Sequence, residues 1–400
     1  MIALRYSRSV PRYAASRVAG RAAPGLIPRV APLRLAHYDD PVAPAEGWVR
    51  VAPSLSGICG SDLAMLAGHA SFYFSPVVSM PFVPGHEIVG TLLDATAGLS
   101  AGTRVVIEPV LACAARGIDP PCEACARGDV GLCTRTAMGH IAPGMQTGFC
   151  EDTGGGWGTQ LIVHSSQIHA VPDAISDETA VLIEPLACAV HAVLRANVGA
   201  GETVLVAGAG TMGLLTIAAL RQLADPARVI AVAKHDRQRA EATRLGADDI
   251  ARPDSVARTV RLATRALLHE PEQGDPWLAG GVDVSFECSG NAGSLDTCLR
   301  VTRARGRVVL VGLPAPSRID LAPVWHRELQ LMGAYTYGLE DRSGARARTF
   351  DIAIDIAKRV DLSSLVSAAY PLTRYAEAID HAMDAGRLGS VKVVFDLGKK

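Results

Sequence analysis

Three short stretches in this 400-residue chain carry side chains of metal-binding type. They read Gly57-Ile58-Cys59-Gly60-Ser61-Asp62, Pro84-Gly85-His86-Glu87-Ile88-Val89-Gly90 and Glu184-Pro185-Leu186. One cysteine, one histidine and one carboxylate give zinc three protein ligands and leave a fourth position open. In that arrangement the metal polarises an alcohol oxygen and lowers its proton affinity. Taken singly, a lone cysteine is more often a small buried hydrophobe, and a glutamate before proline often only starts or ends an element. The set of three is what points to chemistry. A second group, Cys122-x2-Cys125-x7-Cys133 with Cys113 upstream, crowds one loop. Nine cysteines in 400 residues is not the density of a disulfide-stapled secreted domain, so this crowding also points to metal.

A different chemistry is written further on. The apolar run Val204-Leu205-Val206-Ala207 leads directly into Gly208-Ala209-Gly210-Thr211-Met212-Gly213. In a strand-turn-helix, the first glycine allows the tight turn and the second lets the backbone approach a pyrophosphate. The third lets helix and strand pack closely, and the helix N-terminus offers free N–H groups to the phosphates. Gly208, Gly210, Thr211, Met212 and Gly213 are therefore candidate dinucleotide contacts. A glycine triplet alone often marks only a turn, so the strand before it and the apolar helix after it matter. An NAD site places an acid about 20 residues on, against the ribose diol. Here the second strand ends in Ala233-Lys234-His235-Asp236-Arg237, with alanine where the acid is expected. Lys234, His235 and Arg237 could hold a 2′-phosphate, and Asp236 is placed to cap the next helix. NADP is favoured; the alternative is a solvated loop with both NADP and NAD accepted.

The elements that must position these residues fall into two textures. Short β-type runs (Trp48–Val51, Arg104–Ile107, Gln160–Val163) among Gly and Pro predict a small barrel or sandwich. From about Asp173, strand-like runs at Thr203–Ala207, Val229–Ala233, Val282–Phe286 and Arg307–Val311 alternate with helical stretches, which predicts a parallel sheet. Beyond Tyr335 come a helix-like segment, Arg374–Ala385, and a strand, Val391–Asp396. Because so long a chain exceeds one ordinary core, the expected division is 1–172, 173–334 and 335–400, the last returning to the first domain. A net charge of −1 argues against a nucleic-acid partner. The uncharged stretch Thr203–Leu220 is long enough for a membrane span, but its clustered glycines favour strand, turn and helix, so no membrane partner is expected. Residues 1–38 hold many arginines and no Asp or Glu. That composition fits either a transit peptide or a strand pair carrying a basic insertion; the second is favoured, with a cytoplasmic location.

The P-G-H-E-x-x-G, C-G-x-D and G-x-G-x-x-G motifs, in their order, resemble the zinc-containing medium-chain dehydrogenase/reductase family from about Trp48 onward. The resemblance implies an α/β fold: a GroES-like β-barrel catalytic domain plus a Rossmann-type doubly wound parallel sheet. It makes Cys59, His86 and, through the E-P-L motif of the sorbitol and threonine dehydrogenase branches, Glu184 the ligands of a catalytic zinc. Cys188, one helical turn after Glu184, is the alternative third ligand. Glu87 becomes a carboxylate behind the ligands or an alternate ligand. Asp62 would orient His86 through its other ring nitrogen, as such neighbours commonly do. Ser61 would take the alcohol proton as hydride passes to the nicotinamide. Many relatives carry a relay histidine where this chain has Ala64, leaving His69, water or the cofactor ribose for the onward step. Cys122, Cys125 and Cys133 match three of the four cysteines of the family's structural zinc lobe, here near 113–133. The usual first cysteine falls at Asp119, so either Cys113 or Asp119 completes the set. Residues 138–158 are longer than that branch leads one to expect, and are a candidate substrate loop.

The leading functional expectation is a zinc-dependent oxidoreductase acting on a secondary alcohol (polyol, sugar or amino alcohol) with NADP or NAD. The resemblance also implies a homo-oligomer, dimer or tetramer. Two other readings are an NADPH-dependent carbonyl reductase of a specialised metabolite and a non-catalytic nucleotide-binding sensor. A catalytically dead relative has no chemical need for Cys59, Ser61, His86, Glu87 and Glu184 together.

Overall fold

The ten-residue strand Trp48–Gly57 is the spine of the first half of the protein. In a computed structural model, which describes residues 1–96, 98–342 and 344–399, this strand pairs antiparallel with three others. They are Leu161–His164, Ile88–Leu92 and the C-terminal strand Lys392–Asp396. The sheet continues through Arg104–Ile107 to Ile168–Ala170 on one side and Val366–Pro371 on the other. Val49, Val51, Ile88, Leu92, Val105, Ile107, Leu161 and Val163 fill one core beneath it. Their spacing along each strand is the period of two that sends alternate side chains to one face.

The chain divides into two compact units, residues 1–184 with 337–400, and residues 185–336. The first break falls after Glu184 rather than near Asp173 because the residues between are fastened to the sheet unit. Arg104 donates to the carbonyls of Pro172 and Ile175 at 2.7 and 2.6 Å and pairs with Asp177 at 3.1 Å. Ser54 also donates to Asp177, at 2.9 Å.

The basic N-terminal segment is built into the first unit. Strands Ile2–Tyr6 and Leu33–His37 pair antiparallel, with helices Val10–Ala22 and Ile27–Val30 inserted between them. Ala3, Leu4, Tyr6, Ala19, Ile27 and Leu33 are buried with Leu66, Phe82, Trp157 and Phe395 in one cluster. These residues are core, and the arrangement is a strand pair carrying a basic insertion.

The second unit is a six-stranded parallel sheet. Its order is Asp249–Ala251, Arg228–Val232, Thr203–Ala207, Val282–Glu287, Thr302–Leu310 and Gln330–Gly333. The order reverses beside Thr203–Ala207, which puts the glycine turn after that strand where doubly wound sheets bind ligands. The apolar stretch from Thr203 splits into a strand, a turn and the helix Thr211–Leu223. Among the described residues no helix is long and apolar enough to cross a membrane.

Candidate functional site

The spine strand ends at Gly57, and Cys59 follows as the N-cap of the helix Gly60–Leu66. The Cys59 amide donates to Asp62 Oδ2 at 3.0 Å, so Asp62 fixes the turn that presents the thiol. On the neighbouring strand, Gly85 at φ +94° turns the chain into His86 and Glu87. A Cβ at Gly57 would lie 1.7 Å from Glu87 Oε2, which is why only glycine fits there. The thiol of Cys59, the ring of His86 and the carboxylate of Glu87 lie within 4.8 Å of one another. Glu184, in the first turn of the helix Ile183–Ala196, is close enough to act electrostatically on His86. The tight triplet thus includes Glu87, with Glu184 as a further carboxylate nearby; Cys188 lies in the same helix as Glu184 and belongs to the other unit.

Asp62, His86, Glu87 and Glu184 are all buried. Burial works against a charged His86, yet Asp62, Cys59 and Glu184 outweigh it and push the imidazole well above its usual range. Burial lifts Glu184 to about 7, with the Glu87 charge adding to it, while His86, Lys392 and the nearby Tyr337 hydroxyl pull the other way. Burial also raises Asp62. A buried pocket of acids and a thiol that draws a proton onto its histidine is a pocket with room for a cation.

That donor set suits zinc, since thiolate, imidazole and carboxylate are its ordinary ligands. His86 Nδ1 and Asp62 Oδ1 are both buried, have no hydrogen-bond partner and stand 3.8 Å apart. This is too long for the hydrogen bond expected between them. Asp62 spends its other oxygen on the Cys59 amide, and its carboxylate acts on the ring by charge instead of by contact.

Three neighbours escaped the sequence reading. Lys392, 3% exposed, places Nζ 2.7 and 2.5 Å from the two oxygens of Glu87 and 3.2 Å from the Ile58 carbonyl. Its signal was a lone lysine inside the apolar run Val391–Phe395, since a buried lysine needs a partner. Tyr337 bears on the Glu184 carboxylate and packs edge-on against Phe350; no local pattern marked it. Phe149, from the long loop, lies 5.9 Å from the His86 ring and 5.4 Å from Phe82. Ser61 is half-buried in the first turn after Cys59. His69 is exposed and lies against Gly20 of the inserted helix.

The second metal-type cluster is closed. Cys113, Cys122, Cys125 and Cys133 have their sulfurs within 4.8 Å of one another, and all are free thiols. The Cys113–Cys133 and Cys122–Cys133 sulfurs are 3.7 and 4.0 Å apart, against an edge of about 3.8 Å for a tetrahedron with zinc–sulfur bonds of ~2.3 Å. Cys113, not the exposed Asp119, completes the four. Backbone N–H groups of Cys122 and Arg135 point at the sulfurs of Cys113 and Cys133, each at 3.4 Å. Burial opposes ionisation of Cys122, but N–H groups of Cys125 and Thr134 bring it down to about 6.

In the second unit the glycine turn is open where a ligand would approach. Gly208 has φ +105°, a Cβ on Gly210 would meet nothing within 4 Å, and one on Gly213 would strike the Gly208 carbonyl at 1.8 Å. Gly210 is the N-cap of the helix begun by Thr211 and Met212. At the end of the next strand, Ala233 is buried and Lys234 exposed. The N-cap of the following helix is His235, with Asp236 one residue inside. This corrects the expected cap: Gln238 folds back to the His235 amide at 3.3 Å, and Asp236 pairs with Arg239. Arg237 pairs with Glu241 at 3.0 Å, and Arg239 donates to the Lys234 carbonyl at 3.1 Å.

Residues 45–173 match the alcohol dehydrogenase GroES-like domain and residues 211–355 the zinc-binding dehydrogenase domain. An L-idonate 5-dehydrogenase of Vitis vinifera is 30% identical over 357 residues, covering 87% of this chain and 88% of that protein. A sorbitol dehydrogenase of Arabidopsis thaliana is 29% identical with the same coverage. The crystal structure of a zinc-binding dehydrogenase from Sinorhizobium meliloti bound to NADP shares the fold, at TM-score 0.69 and 23% identity over 99% of each chain. The donor sets, the glycine turn and these similarities converge: the chain belongs to the zinc-containing medium-chain dehydrogenase/reductase family, as a zinc-dependent oxidoreductase of small-molecule alcohols that uses a nicotinamide dinucleotide.

Proposed function

We propose that the protein oxidises a secondary hydroxyl of a polyol, sugar or amino alcohol and passes the hydride to NADP in preference to NAD. The observation that carries this reading is the meeting of Cys59, His86 and Glu87 within 4.8 Å, with Glu184 bearing on His86. The idonate and sorbitol dehydrogenases among its relatives support the polyol class.

In this reading Cys59, His86 and Glu184 hold the catalytic zinc, and Lys392 holds Glu87 back as the alternate carboxylate. Zinc bound there supplies Lewis-acid polarisation of the alcohol oxygen, which eases loss of its proton near neutral pH. Ser61 receives that proton. Because Ala64 offers no relay and His69 lies against Gly20, the proton leaves through water or the cofactor ribose. Asp62 holds the Cys59 turn, and Phe149 packs beside the His86 ring, 5.9 Å between centroids. Cys113, Cys122, Cys125 and Cys133 hold a second, structural zinc. The turn from Gly208 to Gly213 takes the pyrophosphate, while Lys234 and His235, with Arg237 behind them, face the 2′-phosphate. Ala233 places no carboxylate against it.

A spectrophotometric screen tests the reading. Zinc-loaded protein is offered polyols, sugars, sugar acids, amino alcohols and simple alcohols, each with NADP and with NAD. Faster reduction of NADP by one of the polyhydroxy or amino-alcohol classes is expected. Turnover confined to simple primary alcohols, or a preference for NAD, would overturn it.

A further inference from the structure

We propose that Arg116 is a positioning residue that couples the four-cysteine lobe to the loop beside His86. Arg116 is fully buried, and the one carboxylate that bears on its guanidinium by charge among the described residues, Asp152, makes no ion-pair contact with it. Its charge is met instead by backbone carbonyls. Nε donates to Leu111 at 3.0 Å, one terminal nitrogen to Met138 and Ile141 at 2.8 and 3.2 Å, and the other to Ala142 and Gly144 at 3.2 and 2.6 Å. A guanidinium has five N–H groups in a fixed planar fork, and here five carbonyls receive them.

What this clamp joins gives it a role beyond packing. On one side, Arg116 sits in the turn that starts at Cys113, with its own amide bonded to the Ala112 and Cys113 carbonyls at 3.2 and 3.1 Å. On the other side, it gathers the carbonyls of residues 138–144. Contact is close throughout: a Cβ on Gly139 would lie 2.3 Å from the Arg116 carbonyl. From Gly144 the chain runs five residues to Phe149, with Met145 and Thr147 bonded to the carbonyls of Val77 and Pro109 at 2.9 and 2.8 Å. Phe149 then meets Phe82 and His86. His140 and Gly144 add bonds to the Ala115, Arg116 and Thr136 carbonyls, but the Arg116 side chain makes the largest set of contacts between the lobe and the loop that carries Phe149 to His86. Loss of order at the cysteines releases the Cys113 turn, and with it the anchor of residues 138–149.

The metal part of this inference rests on the lobe being a zinc site; the Arg116 part does not. The experiment is hydrogen–deuterium exchange over peptides covering residues 138–149, on the whole enzyme. It compares the wild type before and after a chelator empties the lobe, with Cys59→Ser, altered at the catalytic site alone, as the reference for loss of that ion, then Arg116→Lys and Arg116→Met, with kcat and KM determined for the zinc-loaded wild type and the two Arg116 variants. Exchange faster by about tenfold or more, an opening made easier by ~1.4 kcal/mol, is expected in the emptied wild type and in Arg116→Met. Arg116→Lys, which keeps the charge but not the fork, should fall between them. KM should rise more than kcat falls, which a purely global loss of stability would not produce. Unchanged exchange in a folded Arg116→Met protein would overturn the clamp. Unchanged exchange in the emptied wild type would overturn the coupling while leaving the clamp standing. Should Arg116→Met not fold, Arg116→Lys and the chelated wild type carry the same comparison. A lobe that yields no zinc to the chelator would contradict the structural zinc site proposed above, and Arg116→Lys would still decide the clamp.

Discussion

Lys392 and Glu87 form a buried ion pair beside Cys59, with the ammonium nitrogen 2.7 and 2.5 Å from the two carboxylate oxygens. They are 305 residues apart in sequence, and the pair ties the last strand to the one that presents His86. Removing one partner leaves the other charged and without a counterion, a loss of about 3–5 kcal/mol for buried pairs. Lys392→Met should lower the unfolding free energy by that order in urea titration. The double variant Lys392→Met, Glu87→Gln should recover much of it. A single variant within about 1 kcal/mol of the wild type, the range of ordinary surface changes, would contradict this account of the pair.

The cofactor preference turns on one residue. Ala233→Asp puts a carboxylate where the ribose 2′-oxygen lies in NAD-binding relatives of this fold. The ratio of kcat/KM for NADP over NAD should fall about tenfold or more, equivalent to ~1.4 kcal/mol. Lys234→Ala should weaken NADP more than Arg237→Ala does, because Arg237 is already paired with Glu241. An unchanged ratio in Ala233→Asp would mean that the 2′-phosphate is read elsewhere.

Two metal centres with different donors predict two zinc ions per chain by metal analysis. Cys125→Ser should hold one and unfold at a lower temperature, as expected for a lobe whose thiols lose their shared ion. Two ions retained in Cys125→Ser would remove the cysteine lobe from consideration as a metal site.

The pH dependence of the metal-free protein follows from Glu184 and His86. Glu184 is raised to about 7 from an ordinary 4.5, and His86 is raised above its ordinary 6.5. Between these limits the folded state binds more protons than the unfolded one, so stability is present at low pH and falls as pH rises. The Glu184 share of that loss, from about pH 4.5 to 7, is on the order of 3 kcal/mol. Zinc takes the place of the protons, so its binding should release protons and strengthen as pH rises. Thermal melts of metal-free protein from pH 5 to 8 should show a falling Tm that Glu184→Gln flattens. A Tm that rises over that interval would contradict the sign.

The candidate site residues stand out in the sequence because their signals are local. Cys59 and Asp62 share one helical turn, His86 follows a glycine into a strand, and Gly208, Gly210 and Gly213 meet strict backbone demands. The strand runs from Thr203 to Ala207 and from Arg104 to Ile107 follow equally from short apolar patterns. Long-range pairing is what a sequence pattern does not carry. Lys392, Tyr337 and Arg116 act on residues that only the fold brings near them. The helix cap moved from Asp236 to His235 because Gln238 supplies the backbone bond that a capping carboxylate would have made. Asp62 likewise turned toward the Cys59 amide, a choice between two nearby groups that spacing alone leaves open.

The most direct test of the account is metal-dependent turnover at Cys59. Reduction of NADP by the best substrate would be followed in zinc-loaded protein, in protein stripped and then reloaded with zinc, and in Cys59→Ser. Nucleotide binding would be measured on each in parallel. Activity lost on stripping, restored by zinc and absent from a Cys59→Ser protein that still binds NADP is the predicted result. A Cys59→Ser enzyme turning over near the wild-type rate would place the reacting centre somewhere else.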